Sequence, residues 1–154
     1  MRVGIVGAEK LKFDTITEPA AKSLIYELLT PYEDILVSGG CHLGGIDIWA
    51  EEISKEIGCY DPRYIHLPRR LQWSGGFRKR NLLIVRDSEI IHCIVVSEYP
   101  ENFAGKRFKE CYHCSIQDHV KSGGCWTAHK ARERGKDAFW HVIYPDGSVL
   151  SRYG

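Results

Sequence analysis

Four residues in the last third of the chain carry ligand atoms at the spacing of a metal site. Cys111, Cys114, His119 and Cys125 form a C-x2-C-x4-H-x5-C string, one residue longer than the C-x2-C-x4-H-x4-C zinc knuckle. Three thiolates and one imidazole complete a tetrahedral zinc shell. His113 is an alternative ligand to His119, and reduced thiols or a disulfide are alternatives to metal. Because a complete shell leaves no position for water, the predicted zinc is structural.

Glycine-rich turns form a second set of residues with chemical potential. The stretch Ile35–Glu52 reads as a short strand, a turn with Gly39 and Gly40, and a helix with Asp47 in its first turn. Such a junction gathers unpaired backbone N–H groups at the positive end of a helix dipole. It suits a phosphate or another anion, whereas tight packing is the alternative reason for the glycines. The tripeptide SGG recurs twice more, each time before a predicted helix.

Three cations begin the predicted helix Phe77–Arg86. Arg78, Lys79 and Arg80 oppose the dipole at the helix start, which costs up to ~1 kcal/mol each. A bound anion would compensate, because a guanidinium pairs with two oxygens at once. The alternative is a solvated basic turn.

Apolar runs separated by helical patterns position these groups. A run that is apolar on both faces, as in Glu89–Ser97, is typical of a central parallel strand, so His92 and Cys93 are predicted core residues. Further strands are predicted at Arg2–Val6, Ile35–Val37, Tyr64–Leu67, Phe139–Tyr144 and Val149–Tyr153. This alternation predicts a three-layer α/β/α fold with a mainly parallel sheet and a C-terminal hairpin. Ligands of such sheets bind at the carboxyl ends of the strands.

Composition narrows the domain count and the partners. The 154 residues suffice for one domain, 1–154, in which 98–121 lack periodicity and are predicted to form an inserted Cys/His-rich loop. With 21 Lys and Arg against 20 Asp and Glu, the formal charge is +1, which disfavours duplex nucleic acid as a partner. No apolar run reaches the ~20 residues of a spanning helix or the form of a signal peptide. We therefore expect a cytoplasmic protein without a membrane partner.

Together these features resemble the SLOG superfamily, the Rossmann-like group that includes DprA, the Lonely Guy phosphoribohydrolases and the YspA-like proteins. The likeness is closest to the YspA-like branch and extends over nearly the whole chain. Four motifs carry it in order: VGIVGA at the end of the first strand, SGGCHLGGIDIWAEE as a GG-x-x-G-x-D-x-x-A turn with one extra residue, the Trp73 loop leading to Arg80 and Asn81, and the late GG-x-x-T helix start at Gly123, Gly124 and Thr127.

The resemblance implies a nucleotide or nucleotide-derived ligand, such as a nucleoside phosphate, ADP-ribose or an NAD-like molecule, over the glycine turns. Arg80 would face the phosphate or ribose, and Asp47 would bond a ligand hydroxyl. For Asp47, a helix-start carboxylate that favours the dipole is the alternative. The predicted ligand-binding residues are Gly7, Ala8, Gly39, Gly40, Asp47, Arg78, Arg80, Asn81, Gly123, Gly124 and Thr127.

The leading hypothesis is a binding or sensing module, and the alternative is an N-glycosidase of nucleotides or nucleoside phosphates. Such an enzyme would use Arg80 with Glu9 or Glu133 as the acid. Lys130 stands where the resemblance places the glutamate of the Lonely Guy hydrolases. Whether the protein is an enzyme stays open.

A third hypothesis is a single-strand DNA-binding module. Trp73, Phe77 and Trp126 could stack bases beside the basic helix start. The fold is also compatible with a homodimer, although the sequence shows no exposed apolar stripe for one.

Overall fold

A five-stranded sheet forms the centre of the fold. The computed structural model describes residues 1–108, 111–114 and 118–154. The strands lie in the order β2-β1-β3-β4-β5, parallel except for the antiparallel β4–β5 hairpin. This confirms the predicted mainly parallel sheet with a C-terminal hairpin. The strands are β1 (Arg2–Gly7), β2 (Ile35–Val37), β3 (Ile90–Val96), β4 (Asp137–Ile143) and β5 (Val149–Tyr153).

Helices cover both faces of this sheet and complete the predicted three layers. One face carries α1 (Thr17–Leu28) and α2 (Ile46–Glu56), and the other carries α3 (Arg78–Asp87) and α4 (Gly123–Glu133). Each helix buries residues at helical spacing. In α2 these are Ile46, Trp49, Ala50 and Ile53.

The central strand is buried on both faces, as its composition predicts. Within β3, the side chains of Cys93, Ile94 and Val95 are fully buried, and His92 is buried as well. His92 and Cys93 are therefore core residues, as predicted. His92 Nδ1 lies 2.9 Å from Nε2 of His141 on β4, so the two imidazoles share a hydrogen bond inside the protein.

The end of β1 is the point where the chain changes direction across the sheet. β2 pairs with one edge of β1 and β3 with the other, so crossovers diverge at the carboxyl end of β1. Gly7 occupies this end. A Cβ atom there would overlap the backbone carbonyl of Ile94 on β3 and contact the side chain of Ile46. The approach of the two strands therefore requires a residue without a side chain.

Replacing Gly7 with alanine is expected to lower the free energy of unfolding by about 3 kcal/mol, because the added methyl meets a backbone atom that cannot move without disturbing the sheet. Gly123→Ala is the matched control, since a Cβ at Gly123 meets nothing within 4 Å. Its unfolding free energy should stay within about 0.5 kcal/mol of wild type. Urea denaturation measures both variants, and equal midpoints would contradict the prediction.

One predicted strand is wrong. Tyr64–Leu67 contributes only a single bridge, between Ser38 and Ile65, and a 3-10 turn occupies Pro62–Tyr64. Local chemistry favours the turn, because Pro62 stands at its first position and the Asp61 side chain accepts a hydrogen bond from the Arg63 N–H. Pro68 then prevents a regular ladder from extending.

The predicted inserted loop, 98–121, lies between β3 and α4. Its residues 109, 110 and 115–117 are outside the described part of the chain. The remaining loop residues form no helix or strand. The Val120 N–H donates to the Val96 carbonyl at 3.0 Å, which anchors the end of the loop to the end of β3.

No helix in the described part of the chain combines the length and the apolar character that crossing a bilayer requires.

Candidate functional site

A cavity of about 550 Å³ opens at the carboxyl end of β1. The end of β1, the turn before α2, the first turns of α2, α3 and α4, and part of the inserted loop all line it. We call this cavity the crevice. Its walls include Gly7, Asp47, Arg80, Tyr112 and Gly123. It lies at the switch point of the sheet, where open α/β folds bind ligands.

The crevice brings most of the predicted ligand-binding residues together. Those that line it are Gly7, Asp47, Arg80, Asn81, Gly123, Gly124 and Thr127. Ala8 belongs instead to the hydrophobic core, and Arg78 is exposed to solvent outside the cavity. Gly39 and Gly40 lie behind the lining, next to the side chains of Arg80 and Leu67.

Arg80 is a buried cation held in a fixed orientation. Its Nη1 donates to the Gly39 carbonyl at 2.7 Å, and its Nε donates to Oδ1 of Asn81 at 2.7 Å. A side chain at Gly39 would overlap the guanidinium, which explains why glycine stands there. Among the described residues, Nη2 has no hydrogen-bond partner, so this donor remains for a ligand.

The N-terminus of α4 forms a second donor surface in the crevice. Ser122 is the N-cap, and its Oγ accepts a hydrogen bond from the Gly124 N–H at 3.3 Å. A Cβ at Gly124 would lie 2.6 Å from the Gly7 nitrogen, so α4 starts directly against the end of β1. Gly123 faces open space. This third SGG tripeptide therefore begins a helix, as predicted, and presents its positive dipole end to the cavity.

Asp47 supplies a buried acceptor opposite these donors. Its Oδ2 accepts a hydrogen bond from the Cys41 N–H at 3.2 Å. Burial raises the pKa of Asp47, and the nearby Arg80 guanidinium partly offsets that rise. A carboxyl group of this kind can accept from a ligand hydroxyl or hold a proton.

Lys12 is a crevice residue that sequence reasoning missed. Its ammonium is buried, donates to the Lys121 carbonyl and lies 3.6 Å from Oε1 of Glu9. Burial lowers the pKa of Lys12, while Glu9 acts in the opposite direction. The lysine stands in a charged KLK run typical of an exposed turn, so no local signal marks it as a site residue.

Aromatic side chains form the mouth of the crevice. Trp73, Phe77 and Tyr112 line it, and Tyr112 is 61% exposed. Trp73 meets Trp126 edge to face, with ring centroids 4.9 Å apart. Flat rings at the mouth of a polar cavity can stack on a planar ligand group.

A group of four potential metal ligands, which we call the metal group, lies beside the crevice. The ligand atoms of Cys111, Cys114, His119 and Cys125 all lie within 4.8 Å of one another. These are the four predicted ligands, and the group could hold a metal ion. The alternative ligand His113 lines the crevice instead. No disulfide joins any of the six cysteines, all of which belong to the described residues.

The ligand His119 is oriented by its neighbours. Its Nε2 faces the Cys114 sulfur at 3.6 Å, and its Nδ1 lies 2.5 Å from Oδ1 of Asp118. Arg152 on β5 donates from Nε to the other oxygen of Asp118 at 3.0 Å. Carboxylates commonly fix a metal-binding imidazole in this way. Sequence reasoning missed Asp118 and Arg152, although a carboxylate directly before the ligand histidine is a usable signal.

Hydrogen bonds also change the pKa values of the cysteine thiols in this group. A hydrogen bond with the neighbouring Cys125 thiol lowers the pKa of Cys111 against the effect of burial, and His119 adds to the fall. The same interaction raises the pKa of Cys125. Trp140 donates from Nε1 to the Cys125 sulfur at 3.3 Å. The lowered pKa favours the thiolate form of Cys111, which is the form that binds metals.

Of the two predicted acids for the enzyme hypothesis, only Glu9 lines the crevice. Glu133 is exposed and pairs with Lys130 at 2.9 Å on the surface of α4.

Comparisons with protein-family models, with curated proteins and with solved structures found no match to this chain.

Proposed function

We propose that the protein binds a nucleotide or nucleotide-derived ligand in the crevice, as a binding or sensing module. One observation carries this proposal: a single cavity joins a helix N-terminus, two buried cations and an aromatic mouth. The start of α4 with Arg80 and Lys12 suits a phosphate, Asp47 suits a ribose hydroxyl, and the aromatic mouth suits a planar base. The volume of about 550 Å³ falls within the roughly 300–1,000 Å³ of small-molecule sites.

The metal that suits the neighbouring group is zinc in a structural role. Three thiolates and one imidazole are common zinc ligands. Zinc binds such sulfur and nitrogen atoms at about 2.0–2.3 Å, so one ion can bind all four ligand atoms of this group. A cluster of several irons fits less well, because its cysteines bind different iron atoms. Four protein ligands leave no open position for catalysis. Thiolate ligands persist in a reducing compartment, so this centre accords with a cytoplasmic location.

Arg80→Gln is expected to weaken binding of AMP or ADP-ribose by about 10-fold to 100-fold, because a charge-assisted hydrogen bond to the phosphate is lost. The matched control is Arg78→Gln, which removes an exposed arginine outside the crevice and should leave affinity within about 2-fold of wild type. Isothermal titration calorimetry measures both variants. Equal losses of affinity in the two variants would show that binding depends only on the overall positive charge of the protein. That result would contradict a site centred on Arg80.

A second variant separates binding from folding, because Arg80 also holds Gly39 and Asn81. Gly123→Ala adds a Cβ that meets nothing within 4 Å and projects into the crevice, so its thermal midpoint should match wild type while AMP affinity falls. Unchanged affinity would count against the crevice. Capture of oligonucleotides without AMP binding would instead support the single-strand DNA module.

The second candidate function is hydrolysis of the bond between base and ribose. Two carboxyl groups, Glu9 and the buried Asp47, face the crevice together with Arg80. A carboxyl whose pKa is raised can hold the proton that a departing base needs. Chromatography of nucleoside monophosphates after incubation tests this candidate. Base release that disappears in Arg80→Gln would replace the binding module with the hydrolase.

A further inference from the structure

One short segment of the inserted loop serves both the metal group and the crevice. Cys111 and Cys114 belong to the metal group, and the two residues between them, Tyr112 and His113, line the crevice. The segment 111–114, which we call the strap, therefore has ligand atoms on one side and a crevice wall on the other.

The fourth metal ligand ties the strap to the opposite wall. Cys125 lies in the first turn of α4, directly after the crevice residues Gly123 and Gly124. The Cys111 sulfur lies within 4.8 Å of the Cys125 sulfur, so these two side chains bring the strap close to the first turn of α4. A metal ion bound by Cys111, Cys114 and Cys125 would fix the distance between the two walls.

Backbone contacts do little to hold the strap. Within the described residues, its only backbone–backbone hydrogen bond is internal, from the Cys114 N–H to the Cys111 carbonyl at 3.3 Å. The Tyr112 ring contacts His113 and Phe108 of the same loop at 4.6 and 5.7 Å between centroids, and the Lys121 ammonium lies 5.3 Å from the ring. These ring contacts stay within the loop. Contact with the α/β fold comes from the cysteine side chains, since Cys111 belongs to a buried cluster of sheet, α3 and α4 residues and Cys114 packs against it. Among the described residues, the side chains of the metal group therefore connect the strap to the fold.

We infer that Tyr112 and His113 determine the affinity and specificity of the crevice for planar ligands, and that the metal ion holds them in position. This inference rests on the proposed ligand function. With metal bound, Tyr112 forms a fixed stacking surface across from Trp73 and Phe77. Without metal, the strap is free to move from α4 and the stacking surface is lost. Linkage then requires that the ligand strengthens metal binding by the same factor as the metal strengthens ligand binding.

The test compares AMP with inorganic phosphate, which shares the anion site but has no ring to stack. Titrations use wild type loaded with Zn2+ and wild type stripped with a chelator. AMP affinity is expected to fall about 10-fold on stripping, because one stacking contact is lost. Phosphate affinity is expected to fall by less than about 3-fold, since Gly39 and Asn81, which lie outside the strap, hold the Arg80 guanidinium. Equal falls for the two probes would overturn the inference.

Tyr112→Ala keeps all four metal ligands and tests the strap without stripping. In the Zn2+-loaded variant, AMP affinity should match that of stripped wild type, and zinc content should stay at one equivalent. Tyr60→Ala is the control, because Tyr60 is a partly exposed tyrosine that does not line the crevice. An unchanged AMP affinity in Tyr112→Ala would overturn the role of Tyr112.

Hydrogen exchange separates failure of this inference from failure of the proposed function. Peptides that contain 111–114 and 120–125 should exchange faster on stripping, whether or not AMP binds. Faster exchange without AMP binding to any form would contradict the proposed ligand and retain the metal-held strap. Unchanged exchange would overturn the strap whatever AMP does.

Discussion

Replacing Cys111 with alanine is expected to abolish binding of one equivalent of zinc and to lower the free energy of unfolding by about 4 kcal/mol at a metal concentration of roughly 1,000 times the dissociation constant. The reason is that a structural ion binds the folded chain and not the unfolded one, so its binding energy is folding energy. Cys111 is the suitable ligand to remove, because it is fully buried and its sulfur lies within 4.8 Å of the other three ligand atoms.

Cys93→Ala is the matched control for that variant. Cys93 and Cys111 are both fully buried thiols, but Cys93 lies on β3 outside the metal group. The control should keep one equivalent of zinc and lose only about 1 kcal/mol from packing. Metal analysis of protein purified under reducing conditions, with urea denaturation in the presence and absence of chelator, measures both effects. If both variants lose the same stability and the chelator changes neither wild type nor control, the metal centre is wrong.

Acidification from pH 6.5 to pH 4 is expected to lower the free energy of unfolding by about 5 kcal/mol through the buried histidine pair, which is about 2.5 kcal/mol for each imidazole. Burial lowers the pKa of both His92 and His141 from 6.5 to about 4, and the charge of His141 further opposes protonation of His92. As the pH falls, the unfolded chain takes up protons before the folded one. This contribution is therefore fully present above pH 6.5, declines between pH 6.5 and about 4, and declines no further below that.

A variant that keeps the metal ligands separates the effect of the histidine pair on acid stability from the effect of metal release in acid. His92→Leu with His141→Leu replaces both partners of the 2.9 Å hydrogen bond by apolar groups, which can be nearly neutral at pH 7. Ser151, whose Oγ lies 2.6 Å from His141 Nδ1, is exposed and can bond to water instead. The difference between the wild-type and variant stability curves should rise with pH between 4 and 6.5. Parallel curves would mean that these imidazoles do not control acid stability.

Local patterns predicted the helix starts that line the crevice. The SGG tripeptide at Ser122 predicts a capped helix start, and the structure has Ser122 as the N-cap of α4. Asp47 in the first turn of α2 and Arg80 in the first turn of α3 follow from the same reasoning. Such features depend on residues a few positions apart, which is why a single sequence reveals them.

The predicted strand Tyr64–Leu67 failed for a related reason. An apolar run predicts a strand only when no stronger local preference competes. Here the Asp61 side chain and Pro62 stabilise a 3-10 turn just before Ile65, which leaves one bridge to Ser38.

By itself, the sequence determined the alternation of strands and helices except at Tyr64–Leu67, the three-layer class and the four residues of the metal group. Periodicity, capping residues and ligand spacing are local properties, so they can be recognised in the sequence without a structure. Only the tertiary structure decided which residues share a cavity. Lys12 reaches the carbonyl of Lys121, 109 positions away, and Arg152 holds Asp118 across 34 positions. Such pairs meet because the sheet order and the inserted loop bring distant segments together, and no pattern within a short window records that arrangement.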